Sequence, residues 1–222
     1  MRSLLALIGL LALLAGCASE PVTRRTEILV LGDSVMAWNG WSGRAVADGL
    51  EQRLGVPVSD RSRAGATILP GASRPIPEQY RTGDFGWVVF DGGANDLRRC
   101  CDCRACDEVV DLLISRDGSA GAIADLARRA AGDGARVMYL GAYRAPTGRL
   151  LFGGCDDELD EIDRRVMRLA AREPKIFFVS GKRALDPENA RHFFIDRLHP
   201  SPEGSARLAA LIAGAIERAG GV

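Results

Sequence analysis

The feature that most constrains this chain is the alternation of short apolar runs with longer segments of helical periodicity. Five runs rich in β-branched, leucine or aromatic residues lie at 27–34, 56–65, 85–96, 136–143 and 175–180. Strands that are separated by helices predict a parallel sheet covered on both faces. We therefore expect one α/β domain, a three-layer sandwich around a five-stranded, mainly parallel sheet.

Helical patterns fill the gaps between these strands. In the segment 42–55, Val46, Leu50 and Leu54 are spaced four residues apart and Gly55 follows as a stop signal. Three further helices are predicted at Val109–Ser115, Ala120–Ala131 and Glu158–Ala171.

The last predicted helix has a well-marked start. Ser201 suits the capping position and Pro202 the first helical position, where its missing N–H costs nothing. One apolar face should follow, made of Leu208, Leu211, Ile212 and Ile216.

The N-terminal residues follow a different pattern. The uncharged run at 3–16 is 14 residues long, shorter than the roughly 20 residues of a spanning helix but typical of a signal peptide. It ends in "LAGC", which resembles a bacterial lipobox and implies that Cys17 carries a diacylglyceryl thioether and an acylated amine. Several acyl chains at one residue anchor a protein stably. Ordinary cleavage near Gly16 and Ala18 is the alternative.

This interpretation divides the chain into a signal peptide at 1–16, a tether at 17–26 and one domain at 27–222. Ala18 is not the aspartate that marks inner-membrane retention in such lipoproteins. We therefore expect a protein that is lipid-anchored on the periplasmic side of the outer membrane.

The charges exclude one class of partner. Lys plus Arg and Asp plus Glu both number 29, and the basic residues are scattered. Nucleic-acid binding needs a basic stripe or patch, so no nucleic-acid partner is expected. Membrane contact is expected only through the lipid anchor.

Five cysteines remain besides Cys17, four of them within "CCDCRAC". Outside the cytoplasm such cysteines form disulfides, and we expect Cys155 to bond to a member of the 100–106 group. Five is an odd number, so one thiol should be left over. A zinc site or a redox pair at the C-x₂-C spacing remains an alternative. The candidates are Cys100, Cys101, Cys103, Cys106 and Cys155.

Polar and small residues follow the predicted strands at the points where they end. These segments are 32–34, 63–67, 92–96 and, after the fifth strand and a loop, 196–199. In parallel sheets the carboxyl ends of the strands share one edge, where ligands bind. A serine, two small-residue loops and an Asp-His pair should therefore meet at that edge.

These four segments resemble the blocks of the SGNH (GDSL) hydrolase family, in the family's order: "LGDSV", "RAGAT", "GGAND" and "DRLHP". The resemblance extends from Glu27 to the end of the chain. It implies an SGNH/flavodoxin-like fold and hydrolysis of esters without a cofactor or metal. Val35 replaces the leucine of "GDSL", and the cysteine-rich loop after Asp96 resembles an added element.

The residue types suit nucleophilic catalysis. A serine hydroxyl such as that of Ser34 needs a base to take its proton, and His199 is a suitable base because histidine is the residue type whose charge ordinarily changes near neutral pH. Asp196, three residues earlier, would orient that ring and stabilise the imidazolium. The resemblance implies an oxyanion hole made of the backbone N–H groups of Ser34 and Gly65 and the amide of Asn95, which would stabilise the tetrahedral intermediate.

One histidine and two tryptophans lie outside these four segments. His192 has no acid at a comparable spacing and adjoins aromatic residues, so we interpret it as structural. Trp38 and Trp41, just past the serine, either line an acyl or sugar pocket or pack against the first helix.

The sequence thus predicts an extracytoplasmic serine hydrolase that cleaves carboxylic esters through an acyl-enzyme on Ser34. Its substrate is expected to be a small-molecule, glycan or lipid ester. Motifs of α/β-hydrolases, nucleotide sites and zinc proteases are absent from the sequence. The alternatives are an O-acyltransferase using the same site, a non-catalytic binding protein and a redox protein built on the cysteine cluster.

Overall fold

A computed structural model describes residues 28–71, 75–98, 100, 106–146 and 155–222. Its sheet has five parallel strands in the order β2-β1-β3-β4-β5. The predicted α/β sandwich is therefore confirmed, with a sheet that is parallel throughout its described pairs. The strands are β1 (Ile28–Leu31), β2 (Val58–Asp60), β3 (Trp87–Phe90), β4 (Arg136–Gly141) and β5 (Ile176–Ser180).

The side chains of the central strands alternate between two cores. In β1, Leu29 and Leu31 face one core, and Ile28 and Val30 face the other. All four are fully buried, because helices cover both faces of the sheet.

The longer helices agree with the sequence prediction, with ends displaced by between one and four residues. Acidic side chains occupy the first turns of the helices that begin at Asp107 and Asp156, where the helix dipole stabilises negative charge. The apolar periodicity used for the prediction begins only after these residues. The four helices are α2 (Val46–Leu54), α5 (Asp107–Leu113), α6 (Ala122–Gly132) and α7 (Asp156–Arg172).

The last helix, α8 (Pro202–Arg218), begins as predicted. The Ser201 hydroxyl accepts a hydrogen bond from the Gly204 N–H at 3.0 Å. Three of the four expected apolar residues are fully buried, whereas Leu211 is only partly buried. The buried face is instead completed by small residues that the pattern left out, among them Ala209 and Ala213.

Six short elements were not predicted, since one helical turn leaves no periodic pattern in a sequence. Two of them follow the ends of β1 and β3, and a third lies between β2 and β3. They are α1 (Ser34–Ala37), α3 (Ile76–Gln79), α4 (Ala94–Leu97) and the 3₁₀ turns Gly40–Ser42, Gly181–Arg183 and Ala190–His192.

The prediction that these cysteines form disulfides is confirmed for the described residues. Cys100 and Cys106 form a disulfide. Cys155 is also disulfide-bonded, but its partner lies outside the described residues. The signal peptide, Cys17 and the tether lie outside them as well. Within the described part of the chain, no helix is long and apolar enough to cross a membrane.

Candidate active site

The serine is presented by a tight turn at the end of β1. Asp33 caps α1, and its carboxylate accepts a hydrogen bond from the Val35 N–H at 2.8 Å. A side chain at Gly32 would have its Cβ only 2.0 Å from an oxygen of Asp91. Glycine at 32 therefore lets the strands β1 and β3 bring their ends close together.

The three predicted triad residues form one hydrogen-bonded chain. The His199 Nε2 lies 2.9 Å from the Ser34 Oγ, and its Nδ1 lies 2.6 Å from an oxygen of Asp196. Ser34 and His199, which are 165 positions apart in the sequence, are thus close enough for proton transfer.

Asp196 is held by the backbone of its own loop. Its second oxygen accepts hydrogen bonds from the N–H groups of Leu198 and His199, both at 3.0 Å. Partial burial raises the pKa of Asp196, but the bonds from the His199 ring and these N–H groups outweigh it and leave the pKa below its ordinary value. The residue is thus an anion at neutral pH, as an orienting partner must be.

Two contacts that sequence reasoning missed hold the histidine loop in place. The buried Asn39 amide donates to the Pro200 carbonyl at 3.1 Å and to the Ser205 hydroxyl at 2.9 Å. The Tyr143 hydroxyl donates to the Leu198 carbonyl at 2.6 Å. His199 is therefore fixed to both the serine segment and the end of β4.

Trp38 stacks on the catalytic histidine. The two ring centroids are 3.7 Å apart and the ring planes differ by only 5°. Trp41 is instead 69% exposed and makes an edge contact with Trp38. Neither of the two sequence-based alternatives for Trp38 describes this position, which is against the base itself.

We expect Trp38→Leu to lower kcat about tenfold, because aromatic stacking contributes about 0.5–1.5 kcal/mol and an indole face attracts the imidazolium formed during the reaction. Trp38→Phe should retain most of the activity. Rates and melting temperatures measured on the same preparations check this, and equal kcat in all three proteins would contradict it.

The predicted oxyanion donors are only partly brought together. The Asn95 amide donates to an Asp33 oxygen at 3.2 Å and to the Ala66 carbonyl at 3.0 Å. Asn95 and Ser34 line one cavity, while Gly65, at a φ of 76°, borders a neighbouring one together with Asn95. An oxyanion bound by Asn95 would therefore have to replace Asp33 as an acceptor of the hydrogen bond from this amide.

A buried pair of acids lies beside these donors. The Asp33 N–H donates to an oxygen of Asp91 at 3.0 Å. Burial raises the pKa of Asp33, and burial together with the charge of Asp33 raises the pKa of Asp91 well above its usual range. The pair therefore binds protons more tightly than two free carboxylates, at the place where negative charge develops on the substrate.

Two further polar residues hold the loops around the serine. The buried Gln79 side chain bonds to both the N–H and the carbonyl of Gly32, at 2.8 and 2.9 Å. Asp96 accepts hydrogen bonds from the N–H groups of Ile68 and Leu69. Burial raises the pKa of Asp96 to about 6, although these two bonds oppose the increase. The segment "GGAND" thus contains Asn95 and also Asp96, which fixes the loop after β2.

A cavity of about 340 Å³ opens beside the Ser34 hydroxyl. It is bounded by the end of β4, the following segment to Pro146 and the first turns of α7. Its volume and its mainly apolar walls suit a small organic ligand.

His192 takes no part in this arrangement. It is buried, and its Nδ1 accepts a hydrogen bond from the Asp186 N–H at 2.9 Å. Its Nε2 contacts the Asn189 amide at 3.2 Å. This is the structural position expected from the sequence.

Comparison with known proteins agrees with this geometry. The sequence profile of the GDSL-like lipase/acylhydrolase family matches residues 30–207, which is most of the chain. The chain belongs to the GDSL-like lipase/acylhydrolase family. It is an SGNH-type esterase. Among curated proteins, no sequence relative was found.

Solved structures share the fold of this esterase at low sequence identity. A carbohydrate acetylesterase from Sinorhizobium meliloti has a TM-score of 0.62 at 18% identity, covering 86% of this chain and 98% of that one. A GDSL-like lipase from Bacteroides thetaiotaomicron has a TM-score of 0.60 at 22% identity, covering 90% and 92%. A carbohydrate esterase family 2 enzyme from Myceliophthora fergusii has a TM-score of 0.65 at 16% identity, covering 91% and 68%.

Asp163, in the cavity wall, should contribute less to the stability of the esterase as pH rises from about 4 to about 7. Burial raises its pKa from 3.8 to about 7, against the lowering effects of the Ala142 N–H and the charge of Lys182. A carboxyl whose pKa is raised on folding stabilises the protein below the unfolded value. That contribution is lost as pH approaches the folded value.

Asp163→Asn should therefore raise the melting temperature relative to the wild type by an amount that grows between pH 4 and pH 7 and is level above. One pKa unit corresponds to about 1.4 kcal/mol, so the full effect is of the order of a few kcal/mol. Thermal unfolding across this pH range measures it, and a constant difference would show that Asp163 is not buried as described.

Proposed function

We propose that this esterase hydrolyses carboxylic esters through a covalent acyl-enzyme on Ser34. The observation that carries the proposal is the continuous chain of hydrogen bonds from Asp196 through His199 to the Ser34 hydroxyl, which opens into the cavity. A vestigial binding protein would be expected to have lost at least one of these groups.

In the first half of the reaction, the Ser34 oxygen attacks the ester carbonyl and its proton passes to the Nε2 of His199. When the tetrahedral intermediate collapses, the bond to the alcohol oxygen breaks and the alcohol takes that proton. In the second half, water attacks the acyl-serine and gives a proton to His199. The carboxylic acid leaves, and the proton returns to Ser34.

Esters with a small acyl group are the substrates we propose first. Two of the structural neighbours are named as carbohydrate esterases, one of them an acetylesterase. The cavity of about 340 Å³ is large enough for one arm of a small ester but not for a long lipid chain in full.

Hydrolysis of p-nitrophenyl esters from acetate to longer acyl chains tests the proposal. We expect turnover in the wild type, its loss in Ser34→Ala, and full activity in the control Ser119→Ala, an exposed turn residue. Equal activity in all three proteins, or no turnover of any ester by the folded wild type, would contradict it.

We also propose that the enzyme works outside the cytoplasm, anchored through lipid on Cys17. The lipobox-like "LAGC" supports this location, together with the disulfide between Cys100 and Cys106, since disulfides persist in oxidising compartments.

In cells supplied with labelled palmitate, the wild type should incorporate label and fractionate with membranes. Cys17→Ala should remain unprocessed or appear in the soluble fraction. A wild type that incorporates no label would show that the lipoprotein interpretation is wrong.

A further inference from the structure

The cavity beside Ser34 has an unusual charge composition. Four aspartates line it, and its described lining contains no lysine or arginine. Leu140, Leu159 and Ile162 supply apolar walls. This lining favours a ligand that is apolar for most of its length and carries no negative charge at its polar end.

One of these aspartates has a single hydrogen-bond donor among the described residues. Asp163 is only 6% exposed, and that bond comes from the Ala142 N–H at 3.3 Å. Because Asp163 lines the cavity, its second oxygen is available to accept a hydrogen bond from a ligand.

The backbone around Asp163 makes room for this carboxyl. At Gly141, the last residue of β4, a Cβ atom would lie 2.6 and 2.8 Å from the two Asp163 oxygens. Only glycine at 141 lets the carboxyl lie against the strand end, at the edge of the sheet where Ser34 also lies.

Nearby cations do not neutralise Asp163. Arg144 pairs with Asp156 at 3.3 Å and with Asp160, and Lys182 also pairs with Asp160. These ion pairs involve side chains that are partly exposed, whereas Asp163 faces the interior. Among the residues that the structure describes, the buried carboxyl of Asp163 has no ion-pair partner.

We propose that this cavity binds the arm of the ester that carries a hydroxyl or ammonium group, and that Asp163 selects such substrates by accepting its hydrogen bond. The inference rests on the ester hydrolysis proposed above and specifies its substrate class. A site built to hydrogen-bond a substrate donor discriminates strongly against analogues that lack it. An anionic arm offers no donor to Asp163 and meets no lysine or arginine in the described lining, so it should bind poorly.

The competing role for Asp163 is that of a brace for the Ala142 N–H. The substitution Asp163→Asn separates the two roles. The asparagine carbonyl oxygen can still accept the hydrogen bond from the Ala142 N–H. Its NH₂ group is a donor and faces the cavity, so it cannot accept a hydrogen bond from the substrate. Asp157→Asn is the matched control. It makes the same change on the same helix, at an exposed position that does not line the cavity.

The experiment uses two ester series and measures kcat/KM for the wild type and both variants. In the acyl series, p-nitrophenyl esters of an alkanoic acid are compared with the ω-hydroxy, ω-amino and ω-carboxy acids of the same length. In the alcohol series, acetates of an alkanol are compared with those of the matching diol and amino alcohol. Comparison of the hydroxy with the amino esters shows whether the site prefers a neutral hydroxyl or a cationic ammonium group on the substrate.

In one series, the wild type should favour the hydroxy or amino ester over the alkyl ester by about tenfold, the factor that one well-formed hydrogen bond gives. The carboxy ester should be the poorest of the acyl series. Asp163→Asn should abolish the preference by losing a larger factor in kcat/KM on the donor-bearing esters than on the alkyl esters, and Asp157→Asn should behave as the wild type.

Two results would overturn the inference while leaving the proposed hydrolysis intact. One is a wild type that cleaves all members of both series equally well. The other is an Asp163→Asn enzyme that loses the same factor on alkyl and donor-bearing esters, which would make Asp163 a brace only. If the wild type cleaves no ester at all, the proposed function fails and this inference fails with it.

Discussion

Replacing Ser34 with alanine is expected to lower kcat by about 10⁵-fold or more, the scale of loss when a catalytic triad loses its nucleophile. KM should change little, because the hydroxyl contributes little to binding of the ground state. Initial rates on a p-nitrophenyl ester, with substrate binding to the inactive variant measured separately, give both quantities.

His199→Ala supplies the control for this result. Since the His199 Nε2 lies 2.9 Å from the serine oxygen, the two residues should act as one unit. The double variant should therefore be little worse than either single one. Losses that multiply would show that the two residues contribute independently.

Replacing Asn95 with alanine should lower kcat by about 10²–10³-fold and leave KM nearly unchanged, because a donor aimed at the oxyanion acts only in the transition state. In the unliganded site, its amide bonds to Asp33 and to Ala66. Loss of these bonds should also lower the free energy of unfolding by about 1 kcal/mol.

Measuring kcat and the melting temperature on the same preparation separates the two effects. If Asn95 only joins the loops after β2 and β3, the variant will melt earlier while its folded fraction turns over at the wild-type rate. That result would remove Asn95 from the oxyanion hole.

The sheet and the triad could be predicted from sequence because their signals are local. Buried strands such as β3 are continuous apolar runs, and the "GDS" and "DRLH" segments directly follow or precede regular elements. Parallel topology then requires that the strand ends meet at one edge. Helix ends were less accurate, since the acidic first turn of α7 carries no apolar periodicity.

The residues that fix the geometry of the site could not be predicted, because their contacts join distant parts of the chain. Asn39 binds groups that are 161 and 166 positions away. The stacking of Trp38 on His199 likewise depends on the packing of the histidine loop against the serine segment. Nothing in their local sequence distinguishes these side chains from ordinary loop residues.

The burial of two acidic residues near the site could not be predicted from the sequence either. Asp91 and Asp163 can be read as solvated loop and helix residues from their neighbours in sequence. Their burial follows from close approach to Gly32 and Gly141, which is a property of the folded sheet edge. A carboxyl with a raised pKa is therefore visible only once the strands are assembled.

The most direct test of the account is the site of covalent labelling by a fluorophosphonate, read by intact-protein mass spectrometry and peptide mapping. We expect one adduct per folded chain, on Ser34, and none on the His199→Ala variant under the same conditions. An adduct on another residue, or no adduct on folded wild-type protein, would contradict the claim that Ser34 is the nucleophile.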